Sequence, residues 1–264
     1  DGGAIYILEV GLNNEIAKNK FHDIYSGVRP EGANVATIAI YLDCGQAGFF
    51  DIHDNVFYNF KSSTAMPMSI NGSNNRVRNN TFITDNNFYA VQFKEAPGNV
   101  GNIVENNIFI NNNPLSKRAF KVRLYNQIQV PTTEHASYDP AKAFKVKEWN
   151  PNSPTGFSWY LYYYSTQLAY SDNNVYYNKS GIYNVEVNYY DIYQYVTTPE
   201  GPAKVMYQQG IMPFAQWQSQ IVKGLTKTHD ANSVVGSTDF TINPDFTVSA
   251  PVGSPYYGKG ARLV

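Results

Sequence analysis

Apolar residues recur along this chain in short runs separated by turns rich in glycine and asparagine, and no helical period of 3.6 residues links one run to the next. The runs are "AIYI" (4–7), "AIYL" (39–42), "PMSI" (67–70), "AVQF" (90–93) and "AFKV" (119–122). Behind them comes a second signature, asparagine two residues before an aromatic: Asn19/Phe21, Asn55/Phe57, Asn80/Phe82, Asn107/Phe109 and Asn174/Tyr176. A unit of about 25 residues, lengthened in places by insertions, accounts for the spacing. Such short strands with no intervening helices cannot be βαβ units. They fit an all-β parallel solenoid, in which each strand pairs with its equivalent one turn away at about 4.8 Å. Asparagines at equivalent turns then stack as an internal hydrogen-bonded ladder, a structural reason for their recurrence.

The expected organisation is one β-helix domain over 1–264, interrupted by insertions at 113–167 and 181–210. The first insertion contains "KVKEWNPNSPTGFSWYLYYYS" and is too long for an ordinary turn. It reads as a lid or cleft wall over one side of the solenoid. There Trp149, Trp159 and Tyr162 form sugar platforms or pack the lid to the coils. Residues 214–223 carry an amphipathic helical pattern, and the tail from Asp230 onward is expected to cover the last coil and protect its edge.

Composition narrows the functional classes. A formal net charge of −1, without a lysine or arginine run, argues against a nucleic-acid partner. No apolar stretch approaches the roughly 20 residues of a membrane-spanning helix. A single cysteine, Cys44, excludes an intramolecular disulfide and a thiolate zinc cluster. The 22 Tyr, 15 Phe and 3 Trp are compatible with sugar stacking, although strands favour aromatics on their own account. The opening "DGGAIY" already has a strand pattern, as though sequence lay ahead of it.

Superposing the first runs of the units puts Leu8, Asp43, Asn71, Lys94 and Arg123 in one column, on rungs roughly 5 Å apart. That column is either a charge-compensated surface ladder or the floor of a polar groove. In "IYLDCGQAGFF" the alternation sends Ile40 and Leu42 inward and Tyr41 and Asp43 outward, because burying an unpaired carboxylate costs several kcal/mol. Further candidates are His22 and Asp23 in "KFHDIY", Asp51, His53 and Asp54 in "FFDIHDN", and the acids Glu95 and Glu105. A histidine beside an aspartate is a turn contact, a proton shuttle or a metal ligand, and no third ligand is evident. The sequons at Asn71, Asn79 and Asn178 arise cheaply in an asparagine-rich repeat.

The segments "GGAIYI", "AIYLDCGQAGFFDIHDNVFYN" and "SNNRVRNNTFI", with "FAQWQSQI", "HDANSVVGSTDFTINPDFTV" and "GSPYYGKGA" behind them, resemble the carboxyl-terminal half of secreted, right-handed, pectin-lyase-like β-helix proteins. They are most similar to the polysaccharide-active enzymes of glycoside hydrolase family 141. That resemblance implies a secreted or periplasmic hydrolase of plant or algal polysaccharides. It points to Asp1 and Asp43 as the catalytic acids. The expected substrate contacts are Asn71, Lys94 and Arg123 from the column, His22 from its own motif, and Trp149 and Trp159 from the first insertion, with no metal required. The family more often has a second aspartate where this chain has Cys44. Two alternatives stay open: a calcium-dependent lyase of uronic-acid chains, with Asp43 and Asn71 holding the cation, and a noncatalytic glycan-binding or structural β-helix.

Overall fold

The computed structural model describes residues 2–8, 12–27, 32, 35–43, 47–62, 64–85, 90–93, 101–113, 120–123, 127–131, 144–149, 157–163, 168–181, 183–188, 194–198, 201–205, 209–219, 228–236 and 240–254. Four successive three-strand units open the chain. The first is β1 (Gly2–Leu8), β2 (Asn14–Ala17) and β3 (Lys20–Ile24). The second is β4 (Thr37–Asp43), β5 (Phe50–His53) and β6 (Val56–Phe60). The third is β7 (Ala65–Ile70), β8 (Arg76–Arg78) and β9 (Thr81–Thr84). The fourth is β10 (Val91–Phe93), β11 (Asn102–Glu105) and β12 (Ile108–Asn111).

In the fifth unit, β13 (Phe120–Arg123) is followed by an antiparallel sheet of β14 (Gln127–Pro131), β15 (Phe144–Trp149) and β16 (Phe157–Tyr163) before β17 (Leu168–Asp172) and β18 (Val175–Asn178). The sixth begins with β19 (Asn184–Asn188) and carries a hairpin of β20 (Gln194–Thr198) and β21 (Gly201–Val205). It then runs through β22 (Gln209–Pro213), the short helix α1 (Phe214–Ser219) and β23 (Val234–Val235). A last hairpin joins β24 (Thr241–Ile242) to β25 (Val248–Ser249).

The chain is therefore almost entirely β. First strands of the units form one sheet in the order β1-β4-β7-β10-β13-β19-β22. Second strands form β17-β11-β8-β5-β2, and third strands form β23-β18-β12-β9-β6-β3. Pairing is parallel throughout these sheets except between β19 and β22. Within the expected insertions, β13 and β19 belong to the first sheet, while β14–β16 and β20–β21 make sheets of their own.

Local sequence explains the turns. A residue with positive φ precedes each of the five repeated asparagines: Lys18 (59°), Asp54 (55°), Asn79 (54°), Asn106 (55°) and Asn173 (55°). Mostly Asn and Asp, these residue types tolerate the left-handed region, which bends the second strand into the third within two residues. The asparagine behind then forms the expected ladder, with links 36, 25, 27 and 67 residues apart in sequence. A second ladder went unread in the sequence. Asn102 accepts from Asn75 at the turn between the first and second sheets, and Asn75 accepts from the backbone of Phe50. It too sits behind positive-φ residues, Phe49, Asn74 and Gly101.

The aromatic of the signature builds the core. Phe21, Phe57, Phe82, Phe109 and Tyr176 stack at centroid spacings of 5.0, 4.7, 4.9 and 5.0 Å, with nearly parallel ring planes. These spacings equal the rung spacing, so one registered column satisfies backbone pairing and ring stacking together. Phe214, at the start of α1, tilts onto Tyr176 and ends the stack. Of the amphipathic stretch 214–223, Phe214–Ser219 is helical and the rest lies outside the described residues.

The tail does more than cover the last unit. β23 extends the third sheet beside β18, and the chain then packs Phe240, Ile242, Phe246 and Val248 against Tyr58, Ile83, Ile108, Ile110 and Tyr177 on the third strands. Phe246 stacks on Tyr58, and Lys20 of the first unit donates to the Asp245 carbonyl. The strap follows an apolar stripe that the strand alternation would otherwise expose.

Candidate functional site: the outward end of the first sheet

Three residues from three units meet at Asp43. In β4, Ile40 and Leu42 are fully buried in the main core, whereas Tyr41 packs with Ile38 and Met66 in a separate cluster on the opposite face. The expected inward and outward residues are thus as drawn from alternation, but Tyr41 is covered rather than solvated. Asp43 pairs with Leu8 of β1 and stays partly exposed. The Tyr6 hydroxyl donates to its Oδ2 at 2.8 Å, and Asn71 Nδ2 approaches Oδ1 at 3.4 Å. Tyr6 is 48% exposed and meets Tyr41 edge to face at 5.2 Å. An exposed aromatic edge beside a carboxylate offers a sugar both an apolar surface and an acid.

Pairing from β1 through β7 passes over Ala4, Ala39 and Pro67, so the missing N–H of Pro67 costs no ladder bond. Beyond the strand, the chain turns tightly. A Cβ on Gly72 would lie 1.8 Å from the Ala47 carbonyl oxygen, and one on Gly48 would lie 2.6 Å from that of Ser73. Only glycine lets these turns nest, and the nesting fixes Asn71 beside Asp43. Two residues before Asn71, the Ser69 Oγ is buried with no hydrogen-bond partner among the described residues, level with Tyr41 and Gln92.

The remaining candidates are scattered. Asp1, Lys94 and Glu95 lie outside the described residues. Gly2 pairs with Thr37, which is six residues and roughly 20 Å along β4 from Asp43. Arg123 ends β13, two residues beyond Lys121, which pairs with Gln92. Trp149 and Trp159 fall on β15 and β16 of the antiparallel sheet; their side chains are outside what the structure describes. His22 is on the third strands, stacked on Tyr58 at 4.9 Å and bonded to Asp23 at 2.7 Å, and no described contact brings it to Asp43. That bond, foremost, holds the Asp23 carboxyl below its ordinary value.

The second sheet joins the candidates Asp51, His53, Asp54 and Glu105 to Glu15, Arg76 and Arg78, which sequence reasoning passed over. His53 bridges Asp54 on Nδ1 (2.7 Å) and Glu15 on Nε2 (2.8 Å), so the expected turn contact exists with a second carboxylate added. Arg78 clasps Asp51 through Nε and Nη2, and Arg76 pairs with Glu105. Each partner lies one rung over and two residues along, a diagonal that becomes visible only once register is known. Deeper in the last unit, fully buried Asp230 accepts from Ser171, Asn174, Tyr176 and Ser233 at 2.7 to 3.2 Å. Beside it, burial pushes the His229 imidazole down to about 4. Burial and the bond to Asp172 raise the Tyr170 phenol far above its usual range.

Chemically, the Asp43 cluster can present one carboxylate, one phenol and one amide to a ligand on the outward face. Among the described residues, no three His, Cys, Asp or Glu side chains converge to hold a metal ion, and no helix is long and apolar enough to cross a membrane. Comparison of the chain with protein families, with curated proteins and with solved structures found no match.

Proposed function

We propose that this chain is a secreted, right-handed parallel β-helix that cleaves a plant or algal polysaccharide by hydrolysis, with Asp43 as one of its acids. Support for the fold comes from the three parallel sheets, to which successive units each add one strand, and from the two asparagine ladders at their turns. The single observation behind the function is the setting of Asp43. Its neighbours are locked into the core while its carboxylate stays on the outer face, held by Tyr6 and Asn71.

Glycoside hydrolysis needs a proton donor to the leaving oxygen and a second carboxylate that attacks carbon or activates water. Tyr6, donating to Oδ2, orients the Asp43 carboxylate, which suits the attacking or water-activating role. The proton donor then comes from another residue. The family resemblance implies Asp1, but its neighbour Gly2 pairs with Thr37, roughly 20 Å along the strand from Asp43 and beyond the roughly 10 Å that two glycosidase carboxylates span. Glu95 is the first carboxylate after β10, whose Phe93 pairs with Ile70 immediately before Asn71. Substitution of each, Asp1→Asn and Glu95→Gln, separates the two.

The test is product analysis on xylans, fucosylated glycans and uronic-acid chains, with and without exhaustive chelation. Release of reducing ends without near-ultraviolet absorbance, insensitive to chelator, is the expected result. Unsaturated products that require calcium would replace hydrolysis with elimination. Glycan binding with no release of reducing ends would remove catalysis altogether.

A further inference from the structure

The turn that leads from the first sheet to the second has one backbone shape in four successive units. Strand register puts Asn13, Phe49, Asn74 and Gly101 at the same place in that turn. All four have positive φ, at 62°, 62°, 56° and 76°. In the left-handed region Cβ crowds the following carbonyl oxygen, a strain that glycine escapes and asparagine tolerates. A residue as bulky as phenylalanine is an outlier there.

Neighbouring rungs hold Phe49 in that shape. Its N–H donates to the Ser73 carbonyl at 3.0 Å, and its own carbonyl accepts from the Asn14 N–H at 3.3 Å. Packing does not explain the choice of side chain. Phe49 is 47% exposed, and among the described residues its ring joins no aromatic pair and no apolar cluster. The next residue, Phe50, is by contrast buried in the main core. A solitary exposed aromatic is ordinary on a protein surface, but one placed where the backbone resists it calls for a use outside the core.

Position supplies that use. Asp43 ends β4 and Phe49 directly precedes β5, so the two residues stand at either end of one turn. Ser73, which accepts from the Phe49 amide, lies two residues beyond Asn71, and Asn71 Nδ2 approaches Asp43 Oδ1. At about 3.8 Å per Cα step, the Phe49 amide is within roughly 13 Å of the Asn71 Cα, the reach of a few sugar units. Tyr6 is a second exposed aromatic at the same carboxylate. We infer that Phe49 is a sugar platform of the Asp43 site, its exposed ring stacking on the CH face of one sugar of the polysaccharide that meets Asp43. The inference rests on the reading of Asp43 as part of a polysaccharide site, and it adds the residue that grips the chain beside it. The left-handed backbone keeps the ring out of the core and on the surface, where a flat apolar face meets a sugar without having to unpack first.

The test reads binding apart from turnover. Affinity electrophoresis through gels containing xylan, a fucosylated glycan or a uronic-acid chain compares the full-length Asp43→Asn protein with the same protein carrying a second change at Phe49. Phe49→Asn is expected to weaken binding to the retained polysaccharide at least tenfold. Its Tm is expected to fall by no more than about 4 °C, since relief of the left-handed strain offsets the packing lost from a half-exposed ring. Phe49→Trp and Phe49→Tyr should keep the binding, whereas Phe49→Leu, apolar but without an aromatic face, should lose it. The inference is overturned if Phe49→Asn binds as tightly as its parent, or if Phe49→Leu binds as well as Phe49→Trp. A larger fall in Tm would make Phe49 a packing residue and equally overturn it, as would a parent that binds none of the three polysaccharides. Binding that depends on Phe49, in a protein whose unaltered form releases no reducing ends, would leave the platform standing and remove hydrolysis alone.

Discussion

Asn80 shows what one side chain does in this fold. Its Oδ1 takes two hydrogen bonds from Asn55, its Nδ2 serves the Ile52 carbonyl, and it is completely buried. Asn80→Ala strands those groups without solvent, and a buried unsatisfied group costs about 1–3 kcal/mol. Urea unfolding should show a loss of about 3 kcal/mol. Gly72→Ala should be worse tolerated than its size suggests, because the added carbon meets backbone at Ala47 rather than a yielding side chain. His229 gives a pH signature. Burial holds it at about 4 against an ordinary 6.5, so between those values the unfolded chain takes up a proton that the folded chain refuses. Stability is therefore full above about pH 6.5 and falls as pH drops toward 4, by at most about 3 kcal/mol. Unfolding of His229→Gln measured from pH 7 to 4 should lack that slope. Among residues, the ladder asparagines were legible because one residue type recurs beside one aromatic. The Glu15–His53 bridge was not, since its members are 38 positions apart and only register makes them neighbours.

At the scale of elements, the column of first strands could be read from the apolar runs, and the register of Leu8 with Asp43 follows it. The second asparagine ladder could not, because its positive-φ positions are filled by Phe49, Asn74 and Gly101, which share no side-chain chemistry. The tail strap was equally hidden. β24 and β25 are two residues long, too short for any period, and the meaning of Phe246 depends on meeting Tyr58, 188 residues earlier in the chain, at 3.7 Å. Stacked pairs of this kind contribute about 0.5–1.5 kcal/mol beyond the area they bury. Phe246→Ala should accordingly cost less than Phe57→Ala, for which about 3–5 kcal/mol is expected in a closed ring stack. Limited proteolysis separates the two roles. Phe246→Ala should admit cleavage within 237–254 while leaving the remainder intact, whereas Phe57→Ala should expose the whole chain together.

For the whole molecule, a stack of similar units concentrates chemistry where units depart from one another, because identical rungs repeat the same contacts. The first sheet departs at its outward end, where Leu8, Asp43 and Asn71 replace one another on adjacent rungs, and β14–β16 and β20–β21 leave the units that follow. The second sheet, in contrast, neutralises its charges internally through Glu15–His53, Asp51–Arg78 and Arg76–Glu105. Asp43 meets Tyr6 and Asn71 at that outward end. The most direct measurement compares reducing-end release by the unaltered protein and by Asp43→Asn on the polysaccharide that the unaltered protein cleaves. Asparagine keeps the shape and removes the charge, so the two proteins should share a Tm within about 2 °C and the variant should lose activity by a factor of about 10³ or more. Full activity in a folded Asp43→Asn protein would contradict the account.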